Sequence, residues 1–295
     1  MPLESVPTMM RRAREGGYAV GYFESWNLES LYGVIEAAEH ARAPVIIGFN
    51  GEFLSRAERI AAERLSWYGA LGRAAALEGS VPCGFIFNEC AQDDWTRAAV
   101  TAGFNLVMPA DAAASADDYA RRVRALVDYA RPLGVAVEAE LGELPAGVPG
   151  FAHGEGAKTD PDSARGFVSA TGVDLLAVSV GNVHVSLSGR KALDLDRLMA
   201  IRRAVNVPLV LHGGTGIADD ALCEAIAIGV AKVNYGTILK QRYLAAVRRA
   251  LAVDELNPHT LIGMGGPEDV MIAGRRAVRE AVLERLPALG CAGRA

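Results

Sequence analysis

The chain has 295 residues, 51% of them hydrophobic, and a net charge of −5, which supplies one large closed core and excludes a disordered chain. Acidic and basic residues are interspersed, so there is no basic stripe for nucleic acid or an anionic membrane surface, and no apolar run reaches the roughly 18 residues of a membrane span. Cys83, Cys90, Cys223 and Cys291 make no CxxC pair and the N-terminus lacks the basic start and apolar core of a signal peptide, so a reduced, cytoplasmic metabolic protein is expected.

Short apolar runs alternate with longer amphipathic stretches along the whole chain. The runs cover residues 18–23, 44–49, 82–87, 105–108, 135–140, 174–180, 208–211 and 231–234. Each is nearly continuous in apolar residues, as strands buried on both faces of a parallel sheet must be. Between and after them lie helical patterns at 28–40, 55–77, 93–102, 114–130, 162–170, 195–205, 218–228 and 238–251. Asn27 and Ser55 stand where helix caps belong, and Thr159-Asp160-Pro161 puts a capping residue before a first-turn proline. Eight strands each followed by a helix predict an α/β fold of the (β/α)8 TIM-barrel type, one domain over residues 1–295, with an extra C-terminal helix near 267–286. An open doubly wound sheet would carry a GxGxxG turn after the first strand, where Gly-Tyr-Phe-Glu-Ser-Trp-Asn stands instead. The Gly- and Pro-rich stretch 144–159 leaves strand five on the active-site side and is expected to form a lid.

In such a barrel the C-terminal strand ends face the active-site mouth. Those positions are Glu24, Asn50, Asn88 with Glu89, Asp111, Glu138 with Glu140, His184, His212 and Asn234. His184 and His212 end successive strands, close enough for two imidazoles to share a divalent metal ion, with Glu89 the best-placed third ligand. Such a His2Glu set with open positions suits zinc acting as a Lewis acid; the alternative is two histidines hydrogen-bonded in a polar pocket. Cys90, beside this set, is either a further ligand or a small buried residue, and His40, His153 and His259 are expected to be solvated. The segment His212-Gly213-Gly214-Thr215-Gly216 presents a nest of backbone N–H groups, and Asn234-Tyr235-Gly236-Thr237 opens the last barrel helix. Together they predict the phosphate site that barrels build after strands seven and eight; the competing reading is tight turns alone.

These residues carry a resemblance. The chain resembles the class II, metal-dependent ketose-bisphosphate aldolases, most closely in Thr-Gly-Val-Asp-Leu-Leu-Ala-Val-Ser-Val-Gly-Asn-Val-His at 171–184, Pro-Leu-Val-Leu-His-Gly-Gly-Thr-Gly at 208–216 and Lys-Val-Asn-Tyr-Gly-Thr at 232–237. Residues 137–142 and 27–29 fit as well. The resemblance implies a metal held by three histidines, two of them His184 and His212, that polarises the ketone of dihydroxyacetone phosphate and stabilises an enediolate. It also implies that Gly213, Gly214, Thr215 and Asn234, Tyr235, Gly236 and Thr237 bind the phosphate end. On the third strand the family carries His-Leu-Asp-His where this chain has Ile86-Phe87-Asn88-Glu89. The catalytic aspartate is thus Asn88, an amide that exchanges no proton near neutral pH, and the first metal histidine is Glu89. The family's lysine, glycine and asparagine elsewhere are Ser188, Val185 and Glu24, and Ala110 with Asp111 replaces its strand-four aspartate.

The expected function is a divergent carbon–carbon lyase on a ketose phosphate or related sugar-like substrate. Its metal would be held by Glu89, His184 and His212, its proton handled by Glu24, Glu140 or Glu155, and Asn88 would stand at the reacting centre. A metal-dependent isomerase or epimerase uses the same Lewis acid with a carboxylate base, and a non-catalytic aldolase-like subunit is a third possibility. A small-molecule partner and a homodimer or homotetramer follow from the resemblance.

Overall fold

The structure, a computed structural model, describes residues 3–111, 114–142, 156–183 and 192–295. Eight parallel strands close into a barrel in chain order, each pairing with the next and the last with the first. They are β1 (Val20–Ser25), β2 (Val45–Asn50), β3 (Cys83–Cys90), β4 (Leu106–Pro109), β5 (Ala136–Leu141), β6 (Leu175–Val178), β7 (Leu209–Leu211) and β8 (Val230–Tyr235). Every expected strand is present within a few residues, because a barrel strand is covered on both faces and its sequence reads as an unbroken apolar run.

Around the barrel lie α1 (Val6–Gly16), α2 (Leu28–Ala41), α3 (Gly51–Ser55), α4 (Leu65–Glu78), α5 (Asp93–Thr101), α6 (Ala116–Ala130), α7 (Pro161–Thr171), α8 (Leu195–Ala204) and α9 (Asp219–Ile228). After them come α10 (Thr237–Ala250), α11 (Pro258–Leu261), α12 (Val270–Leu283) and α13 (Leu286–Leu289). Asn27 caps α2 as expected: its side chain accepts from the Ser30 amide at 2.9 Å while Ser30 Oγ accepts from the Asn27 amide at 3.1 Å. Asp160 caps α7, with Pro161 in the first turn.

One helix expectation is corrected. Residues 55–77 do not form a single helix, and Ser55 ends α3 instead of capping α4. The intervening segment is charged and exposed, offering no apolar stripe to pack, and Arg59 holds it by donating to the Phe53 and Ala61 carbonyls. Asn50 caps α3, accepting from the Phe53 amide at 3.1 Å, so the last residue of β2 also starts the next helix.

Helix α1 has no counterpart among the expected elements. Its buried face, Val6, Met9, Met10 and Ala13, has ordinary helical spacing, and it lies across the N-terminal end of the barrel. Asn105 Nδ2 donates to the Glu4 carbonyl at 2.7 Å, and Arg14 reaches the Asn206 carbonyl at 3.0 Å, tying it to the approaches of β4 and β7. The expected C-terminal helix is α12, packed against α2 and α10. A Cβ on Gly33 would fall 2.6 Å from the Arg275 carbonyl oxygen, so only glycine lets α2 and α12 approach this closely.

Most of the expected lid at 144–159 lies outside the described residues. Its last residue is buried between strands: the Thr159 amide donates to the Ser179 carbonyl at 2.9 Å, and the Ser179 amide to Thr159 Oγ1 at 2.8 Å. No helix among the described residues is long and apolar enough to cross a membrane.

Candidate active site

Strand alternation decides which side chains enter the barrel. On β1 these are Tyr22 and Glu24, on β5 Glu138 and Glu140, and on β8 Lys232 and Asn234. Tyr22 pairs in register with Asn234, and Asn50 with Asn88. Tyr22, Glu24, Asn50, Asn88, Asn234 and His212, just past β7, line a cavity of about 340 Å³ at the C-terminal end, together with Phe53, Lys240, Gly213, Thr215, Tyr235, Gly236 and Thr237. Glu138 and Lys232 lie buried and do not line it.

β3 breaks the alternation. Its register with β4 shifts between Phe87 and Cys90, and Glu89 takes φ +54°, a left-handed conformation that costs a non-glycine residue roughly 1–2 kcal/mol. The irregularity lets Asn88 and Glu89, consecutive in sequence, both line the mouth. Backbone strain of this kind concentrates at functional sites. Cys90 turns away onto Ser55 Oγ (3.7 Å) and the Gln92 carbonyl (3.4 Å), as a small buried residue does.

His212 is the hub. It is buried, with Nε2 3.0 Å from Glu138 Oε1 and Nδ1 2.8 Å from Glu140 Oε2 and 3.3 Å from Glu89 Oε1. Asn50 Nδ2 donates to the second oxygen of Glu89 at 3.0 Å. Below, Lys232 Nζ stands 3.1 and 2.9 Å from the two oxygens of Glu138 and donates to Asn234 Oδ1 at 2.6 Å, with Lys232 and Glu138 both fully buried. Burial alone opposes ionisation of Glu138, but Lys232 and His212 outweigh it and hold the carboxyl below its ordinary pKa. Burial lowers Lys232 from its ordinary value, and Glu138 opposes this. For His212 burial acts downward too, yet Glu140, Glu138 and Glu89 together raise it to about 10. An imidazole nitrogen facing two carboxylates needs positive charge there, either its own proton or a cation.

That requirement is the test of fit for a metal. Among the described residues no three His, Cys, Asp or Glu side chains stand at complete metal-ligand spacing, and His184 lies outside them. Tetrahedral zinc ligands at about 2.1 Å from the ion stand roughly 3.4 Å from one another. Nδ1 of His212 and Oε1 of Glu89 are already 3.3 Å apart, and the contact to Glu140 at 2.8 Å is a hydrogen-bond distance. With Glu138 accepting from Nε2–H, the Nδ1 lone pair points at this position, as a carboxylate-oriented metal histidine does. Glu89 and His212 are therefore two donors spaced to share one cation, with no third at ligand spacing among the described residues.

The phosphate-binding expectation falls on the loops after β7 and β8. Gly213 takes φ +68°, and Gly214–Gly216 form one 3-10 turn. Asn182 Nδ2 donates to the His212 carbonyl at 3.1 Å and steadies this loop. Thr215 Oγ1 receives the Ile238 amide at 3.4 Å, which joins the loop to the start of α10. Asn234, Tyr235, Gly236 and Thr237 line the cavity. The ring of Tyr235 also stacks on Phe23 at 5.2 Å beneath Gly214, with Arg285 and Asp219 as its charged neighbours.

The structure separates the acidic residues that the sequence groups together. Glu89 and Glu140 converge on His212, whereas Glu24 receives Lys240 Nζ at 2.5 Å. Asp111 is held by Arg122 at 2.5 Å and by the Ala114 amide, away from the cavity. His153, Glu155, Val185 and Ser188 lie outside the described residues; His40 and His259 are exposed as expected.

Sequence reasoning missed Lys232, Tyr22 and Lys240 and gave Glu138 no role. A lysine inside Val-Ala-Lys-Val-Asn, two residues before an inward asparagine, is the signal for the first. Lys240 lies one helical turn into α10, over the Phe53 ring at 4.3 Å, and places a cation at the rim. Tyr22 Oη, Asn88 Oδ1 and Asn234 Nδ2, buried polar atoms of cavity-lining residues, have no hydrogen-bond partner among the described residues.

A family model described as fructose-bisphosphate aldolase class-II matches residues 4–294. Protein YdjI of Escherichia coli strain K12 is 33% identical over 284 residues, spanning 94% of each chain. The solved structure of the YdjI aldolase from Escherichia coli K12 superposes with a TM-score of 0.83 at 32% identity, covering 100% of each chain. A fructose-bisphosphate aldolase from Campylobacter jejuni gives a TM-score of 0.75 over 100% of this chain and 97% of that one; at 21% identity this is a likeness of fold.

Proposed function

The chain belongs to the class-II fructose-bisphosphate aldolase family, and on that premise we propose that it is a metal-dependent carbon–carbon lyase acting on a phosphorylated ketose or related sugar-like substrate. The observation that carries this reading is the orientation of His212 by Glu138, which leaves Nδ1 facing Glu89 and Glu140 inside a cavity bordered by the β7 and β8 loops.

Glu89 and His212, with His184, would hold a divalent cation, zinc by the character of the donors. When bound, the ion supplies Lewis acidity toward a ketone oxygen, worth several kcal/mol as negative charge develops there. Glu140 is the carboxylate beside that position and takes the proton from the carbon next to the ketone. Asn88 holds a substrate oxygen or hydroxyl by hydrogen bonding and moves no proton. Gly213, Gly214, Thr215, Asn234, Gly236 and Thr237 receive the phosphate end through backbone N–H groups and the Asn234 amide. Glu24 fixes Lys240, whose ammonium draws an anionic group to the rim.

The test is solvent-proton exchange. Zinc-loaded protein in D2O should incorporate deuterium at the hydroxymethyl carbon of dihydroxyacetone phosphate with no aldehyde present, and chelation should abolish it. A protein that retains no divalent metal on purification and gains no exchange when metal is added would overturn the proposal.

A further inference from the structure

Asn88 leaves the aldehyde side of the reaction without an acid, since an amide does not exchange protons near neutral pH. The nearest inward neighbour of Asn234 across the β1–β8 seam is Tyr22. Its ring enters the barrel, lines the cavity and lies 5.2 Å from Lys232 Nζ; its hydroxyl is buried with no hydrogen-bond partner among the described residues. A buried phenol ordinarily finds a partner, because leaving one unsatisfied costs about 1–3 kcal/mol. The orphaned Asn88 Oδ1 and Asn234 Nδ2 line the same cavity. These unsatisfied polar atoms around one space mark where a polar ligand belongs.

Resting on the lyase reading above, we propose that Tyr22 is the general acid and base on the aldehyde side, doing the proton transfer that Asn88 cannot. In the condensing direction Glu140 takes the proton from the carbon beside the ketone, and the electron pair forms the new carbon–carbon bond to the aldehyde carbon. The carbonyl π pair moves onto the aldehyde oxygen, which takes the Tyr22 proton and becomes a hydroxyl. The phenolate, close to the Lys232 ammonium, recovers a proton from solvent as Glu140 releases one, so each turnover balances. Cleavage is the reverse. Burial, with the carboxylates of Glu24, Glu89 and Glu138 around it, keeps the phenol protonated at neutral pH. Lys232 Nζ, 5.2 Å from the ring centroid, is the cation that faces this ring.

Tyr22→Phe distinguishes this role from packing, because it removes one unpartnered oxygen and keeps the ring. It should leave the melting temperature unchanged or higher and leave deuterium exchange into dihydroxyacetone phosphate intact. Aldol formation from dihydroxyacetone phosphate with glycolaldehyde or glyceraldehyde should fall by roughly 10²–10⁴-fold. Equal loss of exchange and aldol formation, or an aldol rate within about threefold of the native protein, overturns the assignment. If the unmutated, metal-loaded protein shows neither exchange nor aldol formation, the lyase reading itself has failed, and this role falls with it.

Discussion

Lys232 Nζ lies 2.9 Å from Glu138 Oε2, both side chains wholly buried in the barrel interior, and the same ammonium donates to Asn234 at 2.6 Å. One cation thereby fixes a carboxylate that orients His212 and an amide that faces the cavity. Removing one member of such a pair strands a charge in low dielectric.

Lys232→Met should accordingly destabilise the protein by about 3–5 kcal/mol, and the double change with Glu138→Gln should recover much of that. Urea denaturation of the two single variants and the double variant measures the coupling. A double variant destabilised by the sum of the two single losses would show that the pair is not coupled.

Glu138→Gln alone tests the orientation of His212. Loss of the carboxylate behind a metal-binding imidazole typically weakens metal affinity by about 10–100-fold. Competition with a chelator of known affinity reads this directly, and unchanged affinity would detach Glu138 from the metal site.

The left-handed conformation of Glu89 predicts an inversion of the usual order of substitutions. Glu89→Gly and Glu89→Ala both delete the carboxylate, but only glycine adopts positive φ without penalty. Glu89→Gly should be the more stable of the two by about 1 kcal/mol in urea unfolding, although in a regular strand alanine would win.

Lys240 is solvent-facing enough to be removed without collapse, being 38% exposed. Lys240→Met should raise KM for a phosphorylated substrate by roughly 10–100-fold, the value of one hydrogen bond to a charged group, with kcat little changed. A pure kcat loss would place the lysine at the reacting centre instead.

Asp269 supplies a pH signature distant from the cavity. Its carboxylate accepts from the Gly263 and Gly265 amides, both at 2.8 Å, and from the Met271 amide at 2.9 Å as it caps α12. These backbone donors hold its pKa below the ordinary value. A depressed carboxyl contributes stability that is full above its unfolded pKa of about 3.9 and is lost as pH falls through the lower folded value. Asp269→Ala should cost about 1–2 kcal/mol at pH 7, as loss of a cap does. The gap from the native protein should narrow below about pH 4 in thermal unfolding across pH.

What the sequence made legible follows from where each signal is local. Strands read clearly because two-sided burial leaves no polar residue inside them, apart from the inward polar residues near the mouth. The helix at 55–77 misleads because alanine and leucine at its far end hide the charged break after Ser55. Helix α1 is amphipathic and short, and its partners are strand starts far away in sequence. In the site, polar strand ends stand out against apolar runs, so Glu89, Glu140 and His212 could be named. Their mutual geometry depends on a register shift in β3, which no residue pattern announces. Tyr22 and Lys232 escaped notice for opposite reasons: a tyrosine passes for core, and a lysine in a strand passes for a surface residue.

Helix α1 packs at the far end of the barrel, opposite the cavity at the strand ends. Lys232 and Glu138, both fully buried, lie beneath the cavity-lining residues Asn234 and His212 that they contact. On the lyase reading, a substrate seated in that cavity would cover these buried charges and strengthen every electrostatic contact beneath it.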